Sequence, residues 1–311
     1  MIAHCRELVA NMQAEWLKQK ERGSPILIRL IGYLAQKLGR STVRVLLYPI
    51  TLYYLFFVPK CRKASQHFLH RALGHPPSFG EVFQHFHTFA ATILDRVYLL
   101  TDQLDSFDVK VFGYTEALEL YRRGNGCLLL GSHLGSFELL RSLALGEEGV
   151  VFRALMYQNN AEKMNAVLNS INPKMVDTVI PIGKADSLLQ VMEAMDKGQL
   201  VGMLGDRIAL DDKVVHCQFF GQSCTFPAGP MILAGLLQVP VILFFGIYRG
   251  GNRYEIHFEV FSTGFSLERA RRAEQLQELT QRYAERLEYY CRKFPYNWFN
   301  FYDYWNDDVE K

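Results

Sequence analysis

No apolar run in this chain is long enough to cross a bilayer as a single helix. The longest, Val45–Val58, falls short of the ~20 residues a spanning helix needs. Its six cysteines (Cys5, Cys61, Cys127, Cys217, Cys224 and Cys291) include no Cys-x-x-Cys pair and no ligand spacing. They are expected to be reduced thiols of a cytosol-facing protein, without a disulfide framework or a metal. Met1–Asn11 lacks a long apolar core, so no cleavable signal peptide is expected. Walker and Gly-x-Gly-x-x-Gly fingerprints are missing, which excludes the common nucleotide-binding modules. Gly-x-Ser-x-Gly is missing too, and with it the nucleophile elbow of serine hydrolases. Acidic residues are scarce before residue 75, where Glu7, Glu15 and Glu21 stand against twelve lysines and arginines.

A basic stretch of this kind suits nucleic acid or an anionic bilayer surface. Apolar segments between the charges, Pro25–Ile31 and Val45–Val58, and the lack of any nucleic-acid module favour the membrane. Pro49 is expected to kink the second segment. Arg40 and Arg44 precede it and Lys60, Arg62 and Lys63 follow, a pattern for a helix lying in the interface. A buried core helix is the other reading. Residues 1–63 are therefore assigned to a basic, apolar, membrane-associating lead-in, and residues 64–311 to one α/β domain without repeats or low-complexity linkers.

From Ala64 to Leu100 the apolar spacing is helical, broken at Gly74-His-Pro-Pro77, with Ser78 placed to cap the next helix. His85 and His87 on that helix point to different faces, which argues against a shared metal. After residue 105 strands alternate with helices. Strands are expected at Phe107–Phe112, Cys127–Leu130, Val150–Met156, Thr178–Ile182, Leu200–Leu204, Val239–Tyr248 and Tyr254–Phe261. Helices are expected at Thr115–Arg122, Ser136–Leu145, Ala161–Ile171, Ser187–Lys197 and Phe226–Leu237. A long amphipathic helix from Leu267 to Tyr290 ends before Pro295. The fold class is α/β: a central, largely parallel or mixed sheet covered by helices, with an N-terminal helical lead-in.

The chemistry centres on Leu128-Leu-Leu-Gly-Ser-His133-Leu-Gly-Ser-Phe-Glu138-Leu-Leu-Arg141. An apolar strand delivers Gly131, Ser132 and His133 to the carboxyl edge of the sheet, where open α/β folds place ligands. Ser136 is placed to cap the following helix, and Glu138 in its first turn is placed to fold back and orient the imidazole. Gly131 and Gly135 permit close backbone approach to a ligand, and the helix N–H groups offer an oxyanion or phosphate site. A base with an orienting acid and no protein nucleophile fits direct attack of an acceptor hydroxyl on a thioester. A hydrogen-bonded structural histidine is the competing reading of these residues alone.

These segments resemble the lipid A biosynthesis acyltransferases, within the wider glycerolipid and lysophospholipid acyltransferase group. The His133…Glu138 segment matches that group's His-x4-acidic motif. Gly202-Met-Leu-Gly-Asp206-Arg207 is similar to its second acidic motif. Phe219-Phe-Gly-Gln-Ser-Cys-Thr-Phe-Pro-Ala-Gly229-Pro and Val239-Pro-Val-Ile-Leu-Phe-Phe-Gly-Ile-Tyr-Arg249 are similar to the segments that follow, and the likeness runs on to Pro295-Tyr-Asn-Trp298. The resemblance implies an acyl carrier protein or coenzyme A thioester as donor, a lipid or glycolipid acceptor, no cofactor, and a site on the cytoplasmic face of a bacterial inner membrane. It implies His133 as base and Glu138 as its partner. Asp206 and Arg207 line the site, and Arg153 stands where the family has a strand-end arginine, suited to a phosphate.

The chain departs from the lipid A branch in two places. The branch ends in a Trp-x-His-Arg-Arg-like basic element, where this sequence reads Asn297-Trp-Phe-Asn-Phe-Tyr-Asp-Tyr-Trp305. It also carries Gly-Asp-Arg at 205–207, where lipid A enzymes often have Asp followed by His or Gln. These departures leave the acceptor open among lipid A, other glycolipids and aryl-polyene-type lipids. A glycerolipid or lysophospholipid acyltransferase, an acyl-thioester hydrolase and a catalytically silent lipid- or carrier-binding module are the competing functions.

Overall fold

The computed structural model describes residues 37–101, 103–146, 150–157, 178–208 and 212–305. The expected helix Ala161–Ile171 and the segment Pro25–Ile31 lie outside the described residues.

Four helices lead in: α1 (Arg40–Arg44), α2 (Leu47–Phe57), α3 (Pro59–Leu73) and α4 (Phe79–Leu99). Pro49 does not kink α2. It is the third residue of that helix, in the first turn, where a backbone N–H has no intrahelical partner to lose. Helix α3 stops at Gly74, whose φ of 78° a side chain would oppose. Ser78 and Glu81 then form a reciprocal capping box that starts α4. The boundary expected at residue 63 falls inside α3.

No single described helix is long and apolar enough to cross a membrane; α1–α2 and α3 pass that test only together, bent by 96°. Helix α2 buries Leu47, Thr51 and Leu55 alone, leaving Tyr48, Tyr53, Phe56 and Phe57 more than half exposed beside Val45. A buried core helix would hide those rings. Helix α1 is pinned to α4 by Arg40, which makes a forked pair of 2.7 Å bonds to the fully buried Asp95. The Tyr254 hydroxyl donates to the same carboxylate at 2.8 Å.

The main sheet contains β1 (Asp108–Phe112), β2 (Cys127–Gly131), β3 (Phe152–Met156), β4 (Val179–Pro181), β5 (Leu200–Leu204), β8 (Val241–Tyr248) and β9 (Arg253–Ser262). Its order is β1-β9-β8-β2-β5-β3-β4, parallel throughout except for the antiparallel β8–β9 pair. Helices α5 (Tyr114–Tyr121), α6 (Phe137–Gly146), α7 (Ser187–Asp196), α8 (Gly229–Leu237) and α9 (Arg272–Lys293) cover it. Every residue of β2 is buried, as a central parallel strand requires. Its side chains alternate: Leu128 and Leu130 enter one core with α3, α8 and α9, Cys127 and Leu129 the other with α4, α5 and α6.

One expected helix is corrected. Helix α8 begins at Gly229, and Phe226 belongs to a separate hairpin of β6 (Val214–Phe219) and β7 (Gln222–Pro227). Val215, Cys217 and Phe219 are buried while His216 and Gln218 are exposed, a period of two. The Phe220-Gly221 turn has positive φ at both residues, the geometry that matches strand twist in a two-residue hairpin. The five described cysteines are free thiols.

Removing one partner from a buried ion pair strands the other in low dielectric. Asp95→Ala is therefore expected to lower the unfolding free energy by about 3 kcal/mol, read as a shifted denaturation midpoint. Exposed Glu274→Ala, whose partner Arg271 is also exposed, is expected to change it by less than ~1 kcal/mol.

Candidate active site

Parallel register brings two motifs together that lie far apart in sequence. Gly131 closes β2 opposite Leu204, the last residue of β5. His133 and Asp206 each lie two residues beyond their strand, on neighbours spaced by ~4.8 Å. Gly205 N–H donates to the Gly131 carbonyl at 3.0 Å, which holds the two strand ends level. The result is a close pair: His133 Nδ1 lies 2.8 Å from Asp206 Oδ1, and His133 N–H donates to Oδ2 at 3.0 Å. A third donor, the Trp298 indole N–H, reaches Oδ2 at 3.0 Å.

This arrangement sets the protonation states. Burial disfavours the Asp206 carboxylate, but the facing His133, its hydrogen bonds and Arg207 hold the group below its usual range. An ionised carboxylate only accepts, so Nδ1 carries the proton and Nε2 presents a lone pair. Burial also pushes the His133 pKa below the ordinary histidine value, and the cations Arg207 and Arg96 act in the same direction against Asp206. His133 is thus neutral at pH 7, with 28% of its side chain exposed. A buried acid on Nδ1 and a partly exposed ring are the arrangement a general base requires.

Glu138, expected to orient His133, is engaged elsewhere. It is buried at the start of α6, 3.1 Å from Arg96 on α4 and 3.7 Å from Arg141 one turn on. The imidazole's carboxylate partner is Asp206, because the level strand ends put that group beside Nδ1. Arg153 is also displaced from the expected place. It pairs with Val201, three residues before the end of β5, and so lies ~10 Å back along the sheet. Its Nε points to Gln199 at 3.4 Å. Arg207 does border the site: it donates to the Phe299 carbonyl at 2.9 Å and lies over the Tyr302 ring.

The glycines and serines of the turn are used by the protein itself. A Cβ on Gly135, where φ is 78°, would overlap the Gly246 carbonyl oxygen, and one on Gly131 would crowd Leu204 and the Phe244 carbonyl. Gly135 N–H donates to the Asn297 carbonyl at 2.8 Å and Ser136 N–H to the Gly246 carbonyl at 2.7 Å. These amides are therefore not available to an oxyanion. Ser132 is buried at the strand end. Ser136 precedes the helix as expected, but its buried hydroxyl makes no hydrogen bond, so the expected cap is not formed.

A sequence profile described as bacterial lipid A biosynthesis acyltransferase matches residues 33–307. The chain belongs to that family. No curated protein matches the sequence. For a lipid A biosynthesis acyltransferase the stretch Asn297–Trp305 stands out, since it carries no cation and packs inward. Trp298 is fully buried and Asn297 and Asn300 nearly so. Asn297 bonds both the N–H and the carbonyl of Tyr248, Phe299 N–H donates to the His133 carbonyl at 2.8 Å, and the Tyr304 hydroxyl donates to the Asp206 carbonyl at 3.2 Å. This strap clamps the catalytic turn from outside.

Gly135→Ala adds a methyl group against backbone and requires a left-handed conformation. Loss of at least ~2 kcal/mol of stability is expected, with acyl transfer reduced at temperatures where the variant is still folded. Thermal unfolding and activity measured side by side check both parts. Gly221→Ala, where no atom lies within 4 Å, is expected to cost only its turn conformation, about 1 kcal/mol.

Proposed function

We propose that this enzyme moves a fatty acyl chain from an acyl-carrier-protein or coenzyme A thioester directly onto a hydroxyl or amine of a lipid or glycolipid acceptor. The observation that carries the proposal is the partly exposed His133 imidazole oriented through Nδ1 by buried Asp206. Nε2 removes the acceptor proton as its oxygen attacks the thioester carbon. The oxyanion of the tetrahedral intermediate forms next to the first turn of α6, whose N–H groups and positive end stabilise it. Collapse expels the thiolate, which recovers the proton from the imidazolium. The transfer is redox-neutral and passes through no acyl-enzyme, so the proposal includes no cofactor and no protein nucleophile. In this scheme Glu138 neutralises and fixes Arg96 and Arg141 on the flank of the site.

Family membership supports a lipid A-like acceptor and an acyl donor. The cation-free strap in place of the basic element leaves other glycolipids and aryl-polyene-type lipids within the same scheme. Location at the cytoplasmic face of the inner membrane is supported by the exposed rings of α2. Tyr53, Phe56 and Phe57 extend from a helix bounded by Arg44 and Lys60, a combination that favours the interface of an anionic bilayer.

The test uses detergent-solubilised enzyme, a radiolabelled acyl-carrier-protein thioester and a total lipid extract. His133→Ala and Asp206→Asn are each expected to reduce labelled product by about a hundred-fold or more. Glu138→Gln is expected to cost less than Asp206→Asn; the reverse order would return the orienting role to Glu138. Transfer at equal rates by wild type and His133→Ala would remove the base from the mechanism, and binding of carrier without turnover by any form would favour a silent docking module.

The pH dependence has a fixed sign. The base works only when neutral, and its pKa lies below the ordinary histidine value, so kcat/KM should be level at pH 7 and above and fall as pH drops through that lower value. An acid limb centred above pH ~6.5 would contradict this. Replacing Phe56 and Phe57 by Glu is expected to release the protein from anionic vesicles in a flotation assay while leaving turnover of detergent-dispersed substrate intact.

A further inference from the structure

We propose that Trp298 is a positioning residue for the base, holding Asp206 in place through its indole N–H, and that buried His85 sets Trp298. The inference rests on His133 acting as the base, as argued above. The Trp298 side chain has no exposed surface and sits among Phe68, Phe219, Tyr304 and Trp305. Packing alone would need only an aromatic ring there. The indole instead directs its single donor at Asp206 Oδ2, the oxygen that also receives the His133 backbone N–H. With Oδ2 fixed by two donors, Oδ1 is left to the imidazole, and rotation of the carboxylate would break two bonds to keep one.

The indole is itself held from behind. His85 on α4 is fully buried, and its Nε2 lies 2.8 Å from the Trp298 carbonyl. A carbonyl only accepts, so Nε2 carries the proton, and Nδ1 must then accept from the Ser65 hydroxyl on α3 at 2.8 Å. Desolvation lowers the His85 pKa to about 4, so the ring stays neutral and this tautomer persists over the working pH range. Hydrogen bonds therefore run from Ser65 through His85, the Trp298 peptide and indole, and Asp206 to His133. The chain joins helices α3 and α4 to the reacting nitrogen. Only His133 touches substrate; the others act through it.

Trp298→Phe keeps a ring and removes the donor. One hydrogen bond to a charged group is at stake, so kcat should fall roughly ten- to hundred-fold, with KM for the thioester unchanged. Loss of the donor leaves Asp206 more basic, which strengthens its hold on the imidazolium and moves the His133 titration midpoint upward. The ionisable groups facing His133 are Asp206, Arg207 and Arg96. Those facing Asp206 are His133 and Arg207, with Tyr283, Tyr302, Tyr304 and Cys291, whose own pKa values are raised and which stay neutral. None of these is altered by the substitution.

The experiment follows the His133 Cε1–H resonance against pH in wild type and Trp298→Phe, beside kcat, KM and thermal unfolding. An upward midpoint with a lower kcat supports the positioning role. An unmoved midpoint overturns it, whether activity is kept or is lost along with stability as a packing role would give. If Trp298→Phe does not fold, His85→Leu, which frees the Trp298 carbonyl, is compared with His85→Gln, whose amide still donates. A midpoint raised in the first and restored in the second supports the inference, and equal midpoints overturn it. The resonance needs no substrate, so failure here with transfer still lost in His133→Ala removes the positioning role alone, while wild type without transfer removes the reaction.

Discussion

The site depends on one buried carboxylate. Asp206 is 1% exposed and takes three N–H donors, from the His133 ring, the His133 backbone and the Trp298 indole. A carboxylate in such a place would be costly unless its lone pairs were satisfied. The donors come from two separate stretches of chain and the carboxylate from a third, so the charge is satisfied only when β2, β5 and the C-terminal strap are all in position. The His133–Asp206 pair is thus completed only by the tertiary fold. Each donor that lowers the cost of the buried charge also restricts the carboxylate to the orientation His133 requires.

The same demand explains the glycines. The turn from β2 to α6 must bring His133 to Asp206, pass under the strap and start a helix within five residues. It does so by laying its backbone directly on β8, with Ser136 N–H on the Gly246 carbonyl and a bridge between Gly135 and Gly246. Side chains at either glycine would separate the two backbones. Their absence in the sequence signals close approach, but the partner is protein and not ligand. A glycine-flanked histidine reads identically in both cases, which is why residues 131–136 were legible as a special turn while the use of their amides was not.

Legibility followed the range of the interaction. The alternation of strands and helices, the break at Gly74 and the cap at Ser78 are local, and the expected elements match the observed ones within a few residues. The hairpin of β6 and β7 was hidden by an apolar stretch from Phe226 that suits a helix from Gly229 onward, although Val215, Cys217 and Phe219 do alternate. At the candidate site, His133 was singled out by its position at a strand end. The carboxylate beside it was not, because Glu138 is five residues away in sequence and Asp206 is seventy-three. Choosing between them requires the register of β2 against β5. The matching offsets, two residues past Gly131 and two past Leu204, would have indicated it once the two strands were taken as neighbours. The place of Arg153 also needed the register: pairing with Val201 sets the residue back along the sheet, three residues before β3 ends at Met156.

The strap shows how a departure from a family pattern can be structural in origin. Read as sequence, Asn297–Trp305 lacks the cations expected of a phosphate-binding terminus. Folded, its aromatics are buried and its backbone carries the hydrogen bonds that fix His133, Gly135 and Arg207. Basic side chains in these buried positions would have to be desolvated beside Phe219, Tyr304 and Trp305, and the carboxylate at their centre, Asp206, is already committed to His133. A chain that uses this segment as a clamp therefore has to take its acceptor-binding cations from elsewhere. Among the described residues Arg207 and Arg96 are the cations that act on His133, one tied to the Phe299 carbonyl and the other to Glu138. In the proposed reaction, an anionic acceptor would reach those arginines only by displacing their protein partners.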